Sequence, residues 1–153
     1  MLEQQMEVME ILLAEDDEGD IRFIQECLKH STYKVNLNVV HDGGKVMEYL
    51  KKTGEYAKSP RPHLIFLDLN MPRKDGREAL AEIKADYYLR NIPVVVLTTS
   101  ESRQDLIKLY SLGANCYVTK PMDFDRFCVL INELLHFWFS VAKLPTGDSQ
   151  GRM

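Results

Sequence analysis

The sequence predicts an α/β fold in which a parallel sheet is covered by helices on both faces. Short apolar runs alternate along the chain with stretches of helical periodicity, which is the pattern of repeated β-α units. Three runs, at residues 11–14, 64–67 and 94–97, are continuously apolar, as expected of strands that helices cover on both sides. Each of these runs ends in polar residues, which predicts a functional edge of the sheet.

Five β-α pairs follow from this pattern. We predict strands near residues 10–14, 34–40, 63–67, 93–97 and 116–118, and helices near residues 19–30, 43–52, 76–86, 102–112 and 123–140. The second run, Val35 to Val39, alternates apolar and polar residues, so this strand has a wetter face and belongs at an edge. That placement fits a flavodoxin-like, doubly wound sheet with strand order 2-1-3-4-5.

Apolar stripes support the helices at helical spacing. They are Ile21, Ile24 and Leu28; Leu80, Ile83 and Tyr87; and Phe127, Leu130, Ile131, Leu134 and Trp138.

The length of 153 residues predicts one domain. We assign residues 1–9 to an N-terminal extension, residues 10–140 to the folded domain and residues 141–153 to a partly disordered tail. The polar connection at residues 53–62 is long for an α/β loop, so it is either functional or merely tolerated.

Charge and hydropathy narrow the function classes. The net charge is −4 and there is no basic cluster, which argues against a nucleic-acid-binding protein. No apolar run has the roughly 18 residues of a membrane span, and the N-terminus has no signal-peptide pattern. We therefore expect a cytoplasmic protein. Cys27, Cys116 and Cys128 form no CxxC pair, so we expect buried free thiols rather than disulfides or a zinc site.

Four predicted strands end in residues that together can transfer a phosphoryl group. Glu15 and Asp16 follow the first strand, Asp68 the third, Thr98 the fourth and Lys120 the fifth. The carboxyl ends of the first and third strands flank the point where the strand order reverses, and ligands bind there in such sheets. Alone, each residue has an ordinary explanation: helix-start acid, turn residue, strand threonine or surface lysine. Their shared position favours the functional interpretation, whereas Asp17 and Asp20 are left to the helix start.

The chemistry of these groups suits Mg²⁺ and an acyl phosphate. We predict that Asp16, Asp68 and the main-chain carbonyl of Asn70 ligate the metal, with Glu15 holding a coordinated water. Asp68 is the predicted nucleophile toward phosphorus. The Lys120 ammonium and the Thr98 hydroxyl then neutralise charge on the transferred group.

At these residues the chain resembles the receiver domain of two-component response regulators. The motifs are the acidic pair Glu15-Asp16, for which Asp16-Asp17 is the other register, residues 67–72 (LDLNMP) around Asp68, Asp75-Gly76, Thr98 and Lys120-Pro121. The resemblance implies a phosphoacceptor Asp68, a cis Lys120–Pro121 bond and a switch formed by Thr98 and Tyr117. It also implies a signalling protein that catalyses only its own phosphorylation and slow dephosphorylation.

Residues 67–84 and 92–100, the long loop and the aromatic last helix are more narrowly similar to the small single-domain response regulators of cyanobacterial phytochromes. This similarity implies that a sensor histidine kinase of phytochrome type donates the phosphoryl group. Phe137, Trp138 and Phe139 are consecutive and cannot all face one core. Surplus apolar surface and the subfamily resemblance favour a homodimer through the face of the fourth helix, fifth strand and fifth helix, unless the tail folds back over it.

Two other classes remain as alternatives. A phosphatase of the haloacid dehalogenase class also forms an aspartyl phosphate, but it needs a second acid two residues after the nucleophile, where this chain has Asn70. A flavodoxin-type flavin carrier predicts a hydroxyl-rich phosphate loop after the first strand, where this chain has acids.

Overall fold

The computed structural model describes residues 7–145 and contains five parallel strands. The strands are β1 (Met9–Ala14), β2 (Val35–Val40), β3 (Leu64–Leu67), β4 (Val94–Thr98) and β5 (Cys116–Thr119). The helices are α1 (Glu18–Lys29), α2 (Gly43–Lys51), α3 (Gly76–Ala85), α4 (Arg103–Ser111) and α5 (Phe124–His136), and α5 continues into a π-helical turn at Phe137–Val141. The sheet order is β2-β1-β3-β4-β5, which confirms the predicted fold class and order.

The core lies in two layers, one on each face of the sheet. Because successive strand side chains point to opposite faces, Leu12 and Ile65 pack in the layer under α2 and α3, while Leu13 and Phe66 pack in the layer under α1 and α5. Burial of β1, β3 and β4 on both sides explains their continuous apolar runs. The edge strand β2 is only partly buried over most of its length, as its alternating pattern predicts.

Three expectations were wrong. Cys27 and Cys128 are joined in a disulfide, and only Cys116 is free. Sequence spacing could not indicate this pairing, because it depends on α1 and α5 packing side by side. The Lys120–Pro121 bond is trans, since no peptide bond within residues 7–145 is cis; trans is the ordinary preference before proline. Tyr87 is 64% exposed rather than part of the core stripe, because α3 ends at Ala85.

The connections and ends of the chain match the predicted organisation only in part. The 53–62 segment contains a 3-10 turn at Gly54–Tyr56. Residues 1–6 and 146–153, which include most of the predicted extension and the predicted disordered tail, lie outside the described residues. Ala142, Leu144 and Pro145 line a shallow cavity with Trp138 and Phe139, so this part of the tail lies back along the end of α5. Among the helices of residues 7–145, none has the length and apolar character that a membrane crossing requires.

Candidate functional site

The polar residues that follow the strands lie together at the carboxyl edge of the sheet. The backbone ladder continues one residue past two strands: the amide of Asp68 donates to the carbonyl of Ala14 at 3.0 Å, and the amide of Lys120 donates to the carbonyl of Thr98 at 2.8 Å. These bonds hold the end of β3 level with β1 and the end of β5 level with β4. The residues that follow the strands therefore face one shared pocket.

Three carboxylates meet at the ends of β1 and β3. One oxygen from each of Glu15, Asp16 and Asp68 lies within 4.8 Å of the others. Glu15 and Asp68 are buried, whereas Asp16 is exposed and leaves the cluster open to solvent on one side. Asp17 is not part of this cluster; it caps α1 by accepting from the amide of Asp20. The acids that meet are thus those of the Glu15-Asp16 register.

The ammonium of Lys120 enters the cluster from the end of β5. Its Nζ lies 2.5 Å from Glu15 Oε1, 2.7 Å from Asp20 Oδ2 and 3.5 Å from Asp68 Oδ2. Burial by itself lowers the pKa of Lys120, but the hydrogen bonds that its ammonium donates to Asp20 and Glu15 and the charge of Asp68 outweigh it, so the pKa lies above its ordinary value. Lys120 is therefore a permanent positive charge among carboxylates.

One ammonium does not balance this many acids. Burial raises the pKa of Glu15 to about 8, and the negative charge of Asp68 adds to the rise, although the Lys120 hydrogen bond lowers the value. Burial is the main cause of this rise and the charge of Asp68 a smaller one, so an ionised Glu15 beside Asp68 is costly, and a divalent cation would relieve that cost. The donor set fits such an ion, because it consists of carboxylate oxygens with an open side where water can complete the coordination of Mg²⁺.

The loop between β3 and α3 folds tightly over the end of its own strand. Gly76, the first residue of α3, donates its amide to the carbonyl of Leu69 at 2.9 Å. A Cβ at Gly76 would lie 2.2 Å from the carbonyl oxygen of Asp68, so only glycine allows this approach. The Asp68 side chain is fixed in turn by the amide of Leu69, which donates to its Oδ1 at 2.8 Å. Asn70, whose main-chain carbonyl is the predicted third metal ligand, is exposed two residues after Asp68.

Thr98 and Tyr117 are joined through the loop after β4. The fully buried Thr98 accepts from the amide of Ser100 through its hydroxyl at 3.2 Å. The hydroxyl of Tyr117 donates to the carbonyl of Ser100 at 3.1 Å. Tyr117 therefore contacts Ser100 rather than the acidic cluster, and its half-buried ring packs on the core under α2 and α3.

An ion pair between α3 and α4 holds the same loop. Arg77 donates to both oxygens of Asp105, from Nε at 3.1 Å and from a terminal nitrogen at 2.9 Å. The Ser100 hydroxyl donates to Asp105 at 2.7 Å. The hydrogen bond from Ser100 and the charge of Arg77 keep the pKa of Asp105 below its ordinary value.

Sequence reasoning missed two parts of this arrangement. Asp20 was left to the helix start, yet it is one of the two closest partners of Lys120. A helix that begins directly after a strand end sets its first turn over the same edge, and this signal could have identified Asp20. The Arg77–Asp105 pair joins residues 28 positions apart, and no local pattern predicts it.

Comparison with known proteins adds an independent line of evidence. The family model described as "Response regulator receiver domain" matches residues 11–132. The response regulator Rcp1 of Synechocystis sp. is 48% identical over 135 residues, which cover 88% of this chain and 92% of that protein.

The solved structures that are similar to this chain also include phytochrome response regulators. The crystal structure of the phosphorylated cyanobacterial phytochrome response regulator RcpA superposes with a TM-score of 0.88 at 47% identity and covers 92% of this chain and 100% of that one. The crystal structure of the Mn²⁺-bound form of Rcp1 has a TM-score of 0.85 at 47% identity, covering 90% of this chain and 99% of that one.

Proposed function

The chain belongs to the response regulator receiver domain family, and from this premise we propose that Asp68 is the residue that accepts the phosphoryl group. The protein is a phosphoacceptor homologous to Rcp1 and RcpA, and receiver domains of this kind bind a divalent metal. The observation that carries the residue assignment is the meeting of Glu15, Asp16 and Asp68 beside Lys120 at the switch point of the sheet. Asp68 lies beside the other two acids and 3.5 Å from the ammonium, so a phosphoryl group on Asp68 would be close to both the metal ligands and the lysine charge.

The proposed reaction is a direct displacement at phosphorus. A carboxylate oxygen of Asp68 forms a bond to the phosphorus of a phosphohistidine as the bond from phosphorus to the imidazole nitrogen breaks. Asp16, Asp68 and the main-chain carbonyl of Asn70 would hold Mg²⁺, with Glu15 acting through a coordinated water. When bound, Mg²⁺ neutralises the carboxylates and draws charge from the phosphoryl oxygens.

The chain's own residues supply the rest of the site. Lys120 must give up part of its contact with Glu15 and Asp20 to pair with a phosphoryl oxygen. The Thr98 hydroxyl, now an acceptor for the Ser100 amide, would turn to donate to another phosphoryl oxygen. Water later attacks the acyl phosphate and restores the Asp68 carboxylate, so the protein acts as a signalling switch rather than as an enzyme for an external substrate.

We propose that the switch runs through Ser100. Because Thr98 and Tyr117 bond to the amide and the carbonyl of this one residue, a turn of Thr98 toward phosphate removes one of the hydrogen bonds that hold Ser100, which Asp105 also restrains through the Ser100 hydroxyl. Tyr117 then adjusts with the loop and changes the surface built by α4, β5 and α5.

The phosphoryl donor proposed for this protein is a sensor histidine kinase. Homologues of this kind imply a histidine kinase as the donor, and the phytochrome response regulators among them favour a phytochrome-type kinase. Since a histidine kinase is loaded from ATP, we propose the cytoplasm as the shared compartment.

A homodimer through α4, β5 and α5 is supported by exposed apolar side chains on α4 and α5, Ile107, Tyr110 and Val129, together with the position of β5 at the edge of the sheet. Light scattering at tens of micromolar would contradict the dimer if it showed only monomer with and without phosphorylation.

The decisive experiment is incubation with acetyl phosphate and Mg²⁺, followed by intact mass measurement. We expect one added phosphoryl group on the wild type and none on Asp68→Asn, while Asp86→Asn, which changes an acid at the end of α3, behaves as the wild type. Chelation of the metal should abolish the gain. Modification of Asp68→Asn would overturn the assignment. Steady turnover of p-nitrophenyl phosphate would revive the haloacid dehalogenase alternative, which the receiver family match and Asn70 do not favour.

A further inference from the structure

A disulfide joins the two helices on one face of the sheet. Cys27 lies in the last turns of α1 and Cys128 in the second turn of α5, with 5.2 Å between their Cα atoms. The two residues are 101 positions apart in sequence, so the bond closes most of the chain into a loop. Cys27 is buried, whereas Cys128 is partly exposed to solvent. Cys116 on β5 is free and offers an internal control.

The disulfide is one end of a continuous contact that reaches the candidate site. Asp20, Phe23 and Cys27 are spaced by three and four residues and therefore share one face of α1. Asp20 meets Lys120 at 2.7 Å at the top of this face, and the disulfide closes the bottom. Between them the ring of Phe23 packs edge-on against two rings of α5, with centroid distances of 5.1 Å to Phe124 and 5.7 Å to Phe127. We call this contact the α1–α5 seam.

We propose that Cys27 and Cys128 form a reversible oxidation site whose disulfide fastens the α1–α5 seam and holds Asp20 against Lys120. The co-reactant is a protein dithiol or disulfide that exchanges with the pair. The geometry carries the proposal: two cysteines from distant parts of the sequence meet on facing helices, and the same faces lead through packed aromatic rings to the ammonium of the phosphoacceptor site. Formation or reduction of this one disulfide therefore changes how firmly α1 and α5 are held together.

Reduction of the Cys27–Cys128 disulfide proceeds through two thiol–disulfide exchange steps. A thiolate of the reducing partner attacks the sulfur of Cys128, the more exposed of the two, forming a mixed disulfide while Cys27 leaves as a thiolate and takes up a proton. The second thiolate of the partner then attacks its own sulfur in the mixed disulfide and releases Cys128, which is also protonated. The partner is oxidised to a disulfide, and two electrons and two protons reside on the cysteine pair. Oxidation is the reverse, with a protein disulfide as the acceptor.

An open cavity gives the partner room beside the pair. It has a volume of about 270 Å³ and is lined by His30, Ser31, Thr32, Tyr33, Asn132 and His136. His30 follows Cys27 by three residues, and Asn132 follows Cys128 by one helical turn, so the cavity continues the seam past the disulfide. Its lining is polar, which suits a transient contact with another protein better than permanent burial.

Both redox states can be folded, which a switch requires. The seam keeps its apolar contacts without the covalent bond, since Ile24, Phe127 and Ile131 are fully buried in the same core layer. A reduced Cys27 is a small apolar side chain that such a layer accommodates. The oxidised state gains from the restriction of the unfolded chain, which for a loop of this length is expected to raise the melting temperature by roughly 10 °C.

The first test counts thiols and measures stability. Denatured, air-oxidised wild type should take up one equivalent of a maleimide reagent, and dithiothreitol-treated protein should take up three. Dithiothreitol should lower the melting temperature of the wild type and of Cys116→Ser by roughly 10 °C but leave Cys128→Ser and Cys27→Ser unchanged. Three reactive thiols after oxidation by a protein disulfide such as oxidised thioredoxin would overturn the proposal, as would an equal effect of dithiothreitol on Cys128→Ser.

The second test reads the effect at the site and rests on the proposed function. Because the fastened seam holds Asp20 on Lys120, the oxidised protein should be phosphorylated by acetyl phosphate roughly 3- to 10-fold more slowly than the reduced protein, and Cys128→Ser should match the reduced rate in both conditions. Equal rates in the two redox states would refute the link between the seam and the site. Absence of phosphorylation in every sample would instead refute the phosphoacceptor role, while the thiol count and melting shift would still establish the oxidation site.

Discussion

The ammonium of Lys120 lies 3.5 Å from the carboxylate of Asp68, although it makes shorter contacts with two other acids of the site. Without a phosphoryl group, the lysine therefore offsets charge among acids that repel each other. The same atom is available to a phosphoryl oxygen once Asp68 is modified. The position of Lys120 thus links the stability of the acidic pocket to its proposed chemistry.

Replacement of Lys120 should have opposite effects on metal binding and on phosphorylation. In Lys120→Met the aliphatic stem is kept but the positive charge is lost, so we expect Mg²⁺ to bind roughly tenfold more tightly by calorimetry. Phosphorylation by acetyl phosphate should become at least about tenfold slower, because the transferred group loses its cation. Lys108→Met, on the exposed side of α4, is the matched control. Weaker Mg²⁺ binding in Lys120→Met would contradict this description of the pocket.

A methyl group at Gly76 should displace the backbone of Asp68 and so distort the candidate site. Its Cβ would lie 2.2 Å from the carbonyl oxygen of Asp68, and this clash with backbone can be relieved only by moving the loop between β3 and α3. We expect Gly76→Ala to lower the free energy of unfolding by roughly 1–3 kcal/mol and to slow phosphorylation.

Gly19→Ala on α1 is the control for this substitution. Its added Cβ meets only a side-chain oxygen of Asp17 at 3.2 Å, so the change in stability should be small. Equal stability of the two variants in urea would show that the loop does not depend on this close approach.

The link between Arg77 and Asp105 should be measurable as a coupling energy. A double-mutant cycle with Arg77→Gln and Asp105→Asn is expected to give roughly 0.5–1.5 kcal/mol in urea unfolding, because the pair is bidentate and mostly buried. Since Asp105 also accepts from the Ser100 hydroxyl, Asp105→Asn should speed amide hydrogen exchange in the loop after β4. If amide hydrogen exchange at Ser100 and its neighbours does not change, the Arg77–Asp105 pair has no role in the proposed switch.

The fold could be predicted largely from the sequence because the three central strands, β1, β3 and β4, are buried on both faces. The apolar runs of β1 and β3 mark where these strands end, and a shorter, partly buried run marks the end of β5. In a parallel sheet those ends share an edge, so the sequence alone could place Asp16, Asp68 and Lys120 together. Asp20 escaped this reasoning because an acid in the first turn of a helix has an adequate local explanation. The Cys27–Cys128 pair escaped it because the pairing depends on how two helices pack, which periodicity does not encode.

The stability of the protein should depend on Lys84 at alkaline pH. Its ammonium donates to the carbonyls of Arg90 and Ile92 and to the side chain of Asn115, and burial lowers its pKa to about 8. An unfolded lysine titrates near pH 10.4, so between about pH 8 and 10.4 the unfolded chain binds more protons than the folded one. The free energy of unfolding should therefore rise across this window, by about 1–2 kcal/mol for this partly exposed group. Below about pH 8, Lys84 is charged in the folded protein, and the cost of burying that charge lowers the stability in full. The rise should be absent in Lys84→Met and present in Lys108→Met, in urea unfolding at pH 7.5 and 10; the same pH dependence in Lys84→Met as in the wild type would assign the titration to other groups.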